Sequence, residues 1–219
     1  PEINHISNVS KLSFHETLER LKRAGLMSIP GGGGEILVDR IRRKISPGKL
    51  ADDWLGVMEA AHQVGLPTSA TMMFGHIETV EDRIEHLSRL RDLQDKTSGF
   101  FAFIPWTYQS IGTDLGAPQS PTTPHEYLKM LALCRLFLDN FKNIQASWLT
   151  QGLKVGQIAL NFGANDLGSV MIEENVISQA GASHSAVADD LIHAIRTAGL
   201  TPQKRDNCYH SLPEFGLVA

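Results

Sequence analysis

Residues 67–106 read PTSATMMFGHIETVEDRIEHLSRLRDLQDKTSGFFAFIPW and alternate between two kinds of pattern. The apolar runs at 67–74 and 99–104 predict short buried strands. Between them, Thr79 and Asp82 can cap a helix that carries apolar residues at helical spacing. A strand, a helix and a second strand in this order are typical of a βαβ unit with a parallel sheet.

The same alternation continues on both sides of this unit. Capping boxes and apolar periodicity predict helices over 14–25, 35–44, 52–62, 124–138, 155–163 and 187–195. Apolar runs predict further strands over 26–29, 144–146 and 167–171. At least five strands in one series indicate an α/β fold, either a TIM-like (βα) barrel or part of one. A doubly wound sheet is the rival arrangement. In the barrel, chemistry lies on the loops that follow the strands.

Composition and charge exclude several classes of protein. The chain has 219 residues, 42% of them hydrophobic, which is typical of a soluble globular protein and not of a disordered or collagen-like one. Its formal net charge of -4 argues against a nucleic-acid binder that relies on a positive surface. No apolar run approaches a membrane span, and two cysteines form no disulfide framework. We therefore expect a cytoplasmic protein that binds neither membranes nor nucleic acids.

Four consecutive glycines, Gly31 to Gly34, follow a predicted strand and precede Glu35. Glycines let the backbone approach a ligand closely, and helix N-termini offer N–H groups to anions. The segment is neither a dinucleotide fingerprint nor a Walker loop. It predicts either a ligand cradle or a flexible turn, and a non-catalytic barrel that binds a phosphate or nucleotide there is one alternative.

Other segments allow a structural and a functional interpretation. The methionines of TMMFGHIET (71–79) suit a barrel core, whereas His76 and Glu78 lie where a site is expected. The polar residues of SWLTQ (147–151) and GANDLGS (163–169) suit either ligand contact or loop capping. The basic residues between 40 and 49 suit a solvated helix face, from which one or two can turn inward. No HxxxH, CxxC or GxSxG motif is present, so the sequence predicts no metal ligands in this chain.

Five segments in order resemble one known family. They are IPGGGGEIL (29–37), TMMFGHIET (71–79), FIPW (103–106), QASWLTQGLKVGQ (145–157) and GANDLGSVMIEENV (163–176). Together they resemble the cyclic dehypoxanthine futalosine synthases, which belong to the radical S-adenosylmethionine (SAM) superfamily and act in menaquinone biosynthesis. The aminofutalosine synthases share the glycine and FGHIET segments and remain an alternative.

The resemblance implies a radical SAM (βα) barrel with SAM and a four-iron four-sulfur (4Fe-4S) cluster as cofactors. It implies dehypoxanthine futalosine as the small-molecule substrate and an electron donor as partner. The family carries its cluster on CxxxCxxC, which is absent here, and Cys134 and Cys208 cannot replace it. We therefore expect an incomplete barrel over residues 1–210 that lacks N-terminal βα units, a tail over 211–219, and no activity of this chain alone.

The resemblance also assigns roles residue by residue. In the adenine-binding motif, Met73 takes the packing position and Gly75 and Glu78 take the glycine and glutamate positions. The remaining SAM contacts are assigned to Gly32, Gly33, Glu35 and Lys49. His76 and Glu78 are the candidate bases for the final deprotonation. The residues assigned to the substrate are Glu2, Trp106, Asn165, Asp166 and Glu173.

Overall fold

The computed structural model describes residues 1–48, 50–116, 118, 120–170 and 184–213. Its helices and strands alternate through the middle of the chain, as the sequence predicts. In chain order they are α1 (Glu2–Ser10), α2 (Phe14–Arg23), α3 (Asp39–Ile45), α4 (Ala51–Gln63), β1 (Thr68–Phe74), α5 (Val80–Thr97), β2 (Phe100–Thr107), α6 (Pro124–Phe137), α7 (Trp148–Gln151), α8 (Leu153–Ala159) and α9 (Ala188–Thr197).

The sheet is a parallel arc. Strands β1 and β2 pair in parallel, with Met73 opposite Trp106 and Phe74 opposite Thr107. Three parallel bridges extend the arc in chain order: Ile29 with Thr68, Phe103 with Ile144, and Gln145 with Asp166. The five neighbouring strand segments follow one another in the sheet in the same order as in the sequence. This order is typical of a barrel, whereas the strand order reverses in a doubly wound sheet. The predicted fold class, an incomplete (βα) barrel, is confirmed.

Three of the five predicted strands are shorter than expected. Segment 26–29 forms one bridge and 144–146 forms two, whereas the bridge at Asp166 precedes 167–171, whose described residues form none. Pro30 follows Ile29 directly and has no N–H to continue a ladder. Gly168, at φ +73°, turns the chain away two residues after Asp166. The strand prediction for 167–171 extends to Met171, which lies outside the described residues.

One face of the arc packs against the helices. Ala70, Met72 and Phe74 alternate along β1 and are fully buried in the main apolar cluster. The cluster also includes Leu87 and Leu90 of α5. Because side chains alternate along a strand, Ser69, Thr71 and Met73 lie on the other face, toward the barrel interior.

The predicted helix starts are largely confirmed by their caps. Capping boxes join Ser13 to Glu16, Thr79 to Asp82 and Thr123 to Glu126. Helix α3, however, begins at Asp39 and not at 35, because the backbone before it pairs with other elements. Met73 N–H donates to Glu35 O, and Leu37 N–H donates to His86 Nδ1. Helix α1 was not predicted. It carries Ile3, Ile6 and Val9 at three-residue spacing, although Ser7 is its one buried residue.

The C-terminal segment folds back on itself. Arg205 and Ser211 form an antiparallel bridge, and Leu212 N–H donates to Lys204 O. The Tyr209 ring lies 5.3 Å from that of Phe101, at the beginning of β2. The predicted boundary at residue 210 thus falls within a small hairpin. Within the described part of the chain, no helix is both long and apolar enough to span a bilayer.

Candidate active site

Met73 and Trp106 are neighbours on the interior face of the sheet, near the C-terminal ends of β1 and β2. Met73 is 9% exposed but belongs to neither buried apolar cluster, and Trp106 is half-buried. The resemblance to the radical SAM family assigns Met73 to the adenine of SAM and Trp106 to the substrate. The structure brings these two predicted contacts side by side.

The glycine loop lies along the same strand, although it is about 40 residues away in sequence. Thr71 Oγ1 donates to Gly31 O over 3.1 Å, and Met73 N–H donates to Glu35 O over 2.8 Å. Gly33 N–H donates to the Glu35 carboxylate over 3.0 Å, which fixes the end of the loop. The two motifs assigned to SAM therefore form one continuous surface.

Three of the four glycines are required by close packing. A Cβ atom on Gly31 would lie 2.9 Å from Ala70, one on Gly34 would lie 2.7 Å from Trp54, and one on Gly33 would lie 2.6 Å from Pro1. Gly33 also has φ +83°, which favours glycine. Gly32 is exposed, with no atom near its Cβ position. Packing therefore dictates three of the four glycines, and Gly32 leaves room for a ligand.

A cavity of about 210 Å³ opens beside this loop and brings the predicted residues Glu2, Gly32 and Gly33 together. It also contains two residues that the sequence did not single out. Arg42 is 1% exposed, and its guanidinium donates to Gly33 O over 2.9 Å and to Ile36 O over 3.2 Å. Trp54 Nε1 donates to Gly32 O over 3.2 Å.

Burial lowers the pKa of Arg42, and the nearby carboxylates of Glu35, Asp39 and Asp53 act in the opposite direction. Those acidic residues surround the basic run in the sequence and are the signal that one arginine turns inward. Arg40, in the same run, instead pairs with Asp82.

His76 and Glu78 form a buried cluster with Arg83 at the end of β1. The side chains of both predicted bases are 0% exposed. Glu78 accepts from Gly75 N–H over 2.6 Å and from His76 N–H over 2.9 Å, and Arg83 Nη2 lies 2.7 Å from its Oε1. The Arg83 guanidinium lies 5.1 Å from the centre of the Phe74 ring. Glu78 therefore fixes the loop that begins at Gly75.

The two members of this pair have their pKa values shifted in the same direction for different reasons. Burial lowers the pKa of His76, although the Glu78 carboxylate opposes that shift. Burial acts to raise the pKa of Glu78, but the Gly75 N–H and the other donors outweigh it and hold that pKa below its ordinary value. His76 Nε2 lies 3.2 Å from Met73 O, and Nδ1 lies 3.2 Å from Glu78 Oε2, so both ring nitrogens face acceptors.

Gly75 is required where the chain leaves β1. Its φ is +88°, and a Cβ there would lie 1.9 Å from Thr122 Oγ1. An open cavity of about 550 Å³ lies between this turn and the segment that contains Pro118 and Thr122. The predicted Gly75, His76 and Glu78 all line it.

Asn165 and Asp166 lie at the opposite edge of the arc, where strands begin. Asp166 Oδ2 accepts from Arg205 Nη2 over 2.6 Å and from the Tyr209 hydroxyl, and the Arg205 guanidinium lies 3.8 Å from the Tyr209 ring centre. Asn165 Oδ1 accepts from Ile144 N–H over 2.9 Å. The structure does not bring these two predicted substrate residues to Trp106. Lys49 and Glu173, also predicted, lie outside the described residues.

The described residues do not fit a 4Fe-4S cluster. Cys134 is 0% exposed on α6, and burial raises the pKa of its thiol, whereas a cluster ligand is a thiolate. Cys208 lies in the C-terminal segment. Across the described ranges, no three His, Cys, Asp or Glu side chains are grouped to hold a metal ion. SAM does fit, because Met73 supplies an apolar surface outside both buried clusters and Gly32 leaves space beside its backbone.

Comparisons with known proteins define the class first. The Radical SAM superfamily model matches residues 2–90. Methylornithine synthase has a similar fold, with a TM-score of 0.65 at 18% identity over 88% of this chain and 57% of that chain. The fold and the site together are those of a radical SAM barrel. Membership of this superfamily implies SAM and a 4Fe-4S cluster as cofactors.

Within that class, the model described as the CofH/MqnC C-terminal region matches residues 97–215, more than half of the chain. The chain belongs to the CofH/MqnC family of radical SAM enzymes.

Three relatives illustrate the range of this family. Cyclic dehypoxanthine futalosine synthase of Streptomyces coelicolor is 47% identical over 96% of this chain and 53% of its own length. Aminodeoxyfutalosine synthase of Thermus thermophilus is 41% identical over 96% of this chain and 58% of its own length. A 5-amino-6-(D-ribitylamino)uracil–L-tyrosine 4-hydroxyphenyl transferase of Archaeoglobus fulgidus is 41% identical over 96% and 63%. The chain thus spans a little over half the length of the curated relatives it matches.

Proposed function

We propose that this chain is the C-terminal portion of a radical SAM enzyme that cyclises dehypoxanthine futalosine in menaquinone biosynthesis. The pairing of Met73 with Trp106 is the observation that supports the proposal most, since the residue predicted to contact the cofactor neighbours the residue predicted to contact the substrate. The 47% identity with the S. coelicolor synthase supports this substrate. The cluster cysteines then lie outside this chain, and the chain alone is inactive. The complete enzyme acts in the cytoplasm and depends on an electron donor.

The residues of this chain bind and orient the reactants. Met73 provides an apolar surface for the adenine, and Gly32 lets the ligand approach the backbone. Trp106 packs against an aromatic part of the substrate. SAM, when bound, supplies the radical chemistry, and the protein supplies positioning and exclusion of water.

His76 is the candidate base for the final deprotonation. Its lowered pKa keeps the ring neutral at pH 7, so one ring nitrogen can accept a proton. Nδ1 lies 3.2 Å from Glu78 Oε2, so the imidazolium would form next to a carboxylate. We assign Glu78 to positioning, because Gly75, His76 and Arg83 already engage it.

The cavity at the glycine loop disfavours the non-catalytic alternative. Arg42 is the one cationic side chain among its described lining residues, and its guanidinium already holds two backbone carbonyls. Glu2 and Asp53 add negative charge. Such a lining does not suit the phosphate that a nucleotide-binding barrel would take.

The test compares substrates under anaerobic, reducing conditions. The full-length enzyme, with the CxxxCxxC segment and a reconstituted cluster, is incubated with SAM and either dehypoxanthine futalosine or the substrate of the aminodeoxyfutalosine synthases. We expect conversion of the first to a product of lower mass by two hydrogens. Conversion of the second alone would overturn the proposal in favour of the relative from T. thermophilus. The 219-residue chain is the control and should neither take up a cluster nor cleave SAM.

A further inference from the structure

A second cavity lies at the same edge of the sheet, and none of its described lining residues is charged. Its volume is about 310 Å³, and it lies between the loops that follow β2 and the 144–146 segment. Thr107, which directly follows Trp106 in the chain, is one of the residues that line it. The described residues that line it are Thr107, Tyr108, Gln109, Ser110, Ile111, Pro118, Pro121, Thr122, Pro124, Thr150 and Gln151.

One threonine sets the orientation of two amides in this cavity. Gln109 Nε2 donates to Thr107 O over 3.1 Å, and Gln151 Nε2 lies 2.6 Å from Thr107 Oγ1. Thr107 itself is 2% exposed. Because both NH₂ groups face Thr107, each amide turns its carbonyl oxygen away from it. Neither carbonyl oxygen accepts a hydrogen bond from the described part of the chain.

The neighbouring cavity at Gly75 provides a contrast. The two cavities share Pro118 and Thr122, yet the one at Gly75 is lined by His76, Glu78, Arg83 and Glu126. The rim therefore has a charged compartment and an uncharged one. Free amide oxygens accept hydrogen bonds from hydroxyl groups, whereas an anion in the uncharged compartment would lose its hydration without gaining a partner.

We propose that the cavity at Thr107, Gln109 and Gln151 binds a neutral, hydroxyl-rich group, namely a sugar ring, with the two glutamine carbonyls accepting from its hydroxyls. The ligand class follows from the lining alone. The proposed function is needed only to identify the sugar as the ribose of the substrate. A phosphorylated sugar is excluded by the same lining.

The test uses methyl β-D-ribofuranoside as the probe and saturation-transfer NMR on the full-length protein, without SAM or reductant. We expect saturable binding that Gln151→Leu weakens about three- to tenfold, the loss of one neutral hydrogen bond. Gln63→Leu, at an exposed site on α4, is the matched control and should bind like the unmodified protein. Ribose 5-phosphate should bind no more tightly than the uncharged probe.

Several results would overturn the proposal: no saturable binding, equal binding by Gln151→Leu, or tighter binding of ribose 5-phosphate. None of these results depends on turnover of dehypoxanthine futalosine. A protein that binds the probe as expected but converts only another substrate would refute the proposed function and leave the sugar site standing.

Discussion

The two edges of the parallel arc use their polar residues differently. At the edge where strands end, Trp106 is half-buried and the amide oxygens of Gln109 and Gln151 have no described partner. At the edge where strands begin, Asp166 is bonded to Arg205 and Tyr209, and Asn165 caps the neighbouring segment. In barrels the first edge carries chemistry and the second carries stability, and the hydrogen bonds of this chain follow that division.

Glu78 is an exception to this division. It lies at the edge where strands end, yet its carboxylate is bonded to Gly75, His76 and Arg83 and stabilises the loop. Glu78→Gln removes the charge opposite Arg83 and turns an NH₂ group toward the Gly75 or His76 N–H. We expect a loss of about 3 kcal/mol in the free energy of unfolding, measured by urea denaturation. Glu19→Gln, at an exposed carboxylate, is the control. A loss near zero would show that the cluster is open to water.

The pH dependence of the unfolding free energy tests the role of His62, which lies at the edge where strands begin. It lies between Thr97 Oγ1, 2.7 Å from Nδ1, and Thr68 Oγ1, 2.8 Å from Nε2. Thr97 already donates to Leu93 O and so accepts from Nδ1, which leaves Nε2 to accept from Thr68. Burial lowers the pKa of His62 from 6.5 to about 4.

A lowered histidine pKa means that the unfolded chain binds the proton more readily. The contribution of His62 is therefore complete above pH 6.5 and is lost as the pH falls toward 4. After allowance for solvent screening, we expect a loss of roughly 2 kcal/mol across that interval. His62→Gln should flatten this part of the stability profile, whereas His15→Gln, at an exposed site, should not. If both variants keep the full slope, His62 is not its source.

A substitution at Asp166 tests whether a residue at the edge where strands begin stabilises the fold or binds the substrate. Asp166→Asn keeps an acceptor for Tyr209 but weakens the pairing with Arg205, so we expect a loss of about 1–2 kcal/mol in unfolding free energy. Because Asp166 lies at the edge where strands begin, the KM for the substrate should stay within twofold. A tenfold rise in KM with unchanged stability would restore its predicted role in substrate binding.

The sequence predicts those parts of the fold that depend on neighbouring residues. The three Ser or Thr capping boxes and the period of Val80 to Leu90 are local signals, and the structure confirms them. The proximity of the glycine loop to Met73 follows from the barrel order. The acidic residues around the basic run indicate that one arginine turns inward, but that this arginine is Arg42 depends on carbonyls that only the folded loop presents.

The distance in the fold between Trp106 and the predicted residues Asn165 and Asp166 has a different cause. Their segment enters a strand, and in a parallel arc a residue that enters a strand lies at the edge opposite to one that leaves it. Polarity near a strand end therefore predicts a site only when the direction of the chain is also taken into account. Trp106, which leaves β2, satisfies that condition.

Trp106 gives the smallest expected effect and the strongest test of the division between edges. Trp106→Ala removes a half-buried ring on the interior face, so we expect the substrate to bind about tenfold more weakly, measured as Kd without reductant. The unfolding free energy should change by less than about 1 kcal/mol, because solvent already reaches the ring. Trp54→Ala is the matched control: Trp54 is 5% exposed and packs in the main core, so its loss should lower stability far more. If Trp106→Ala instead destabilises the protein as Trp54→Ala does and leaves Kd unchanged, then Trp106 is a core residue, and the edge where strands end has lost its best candidate for ligand contact.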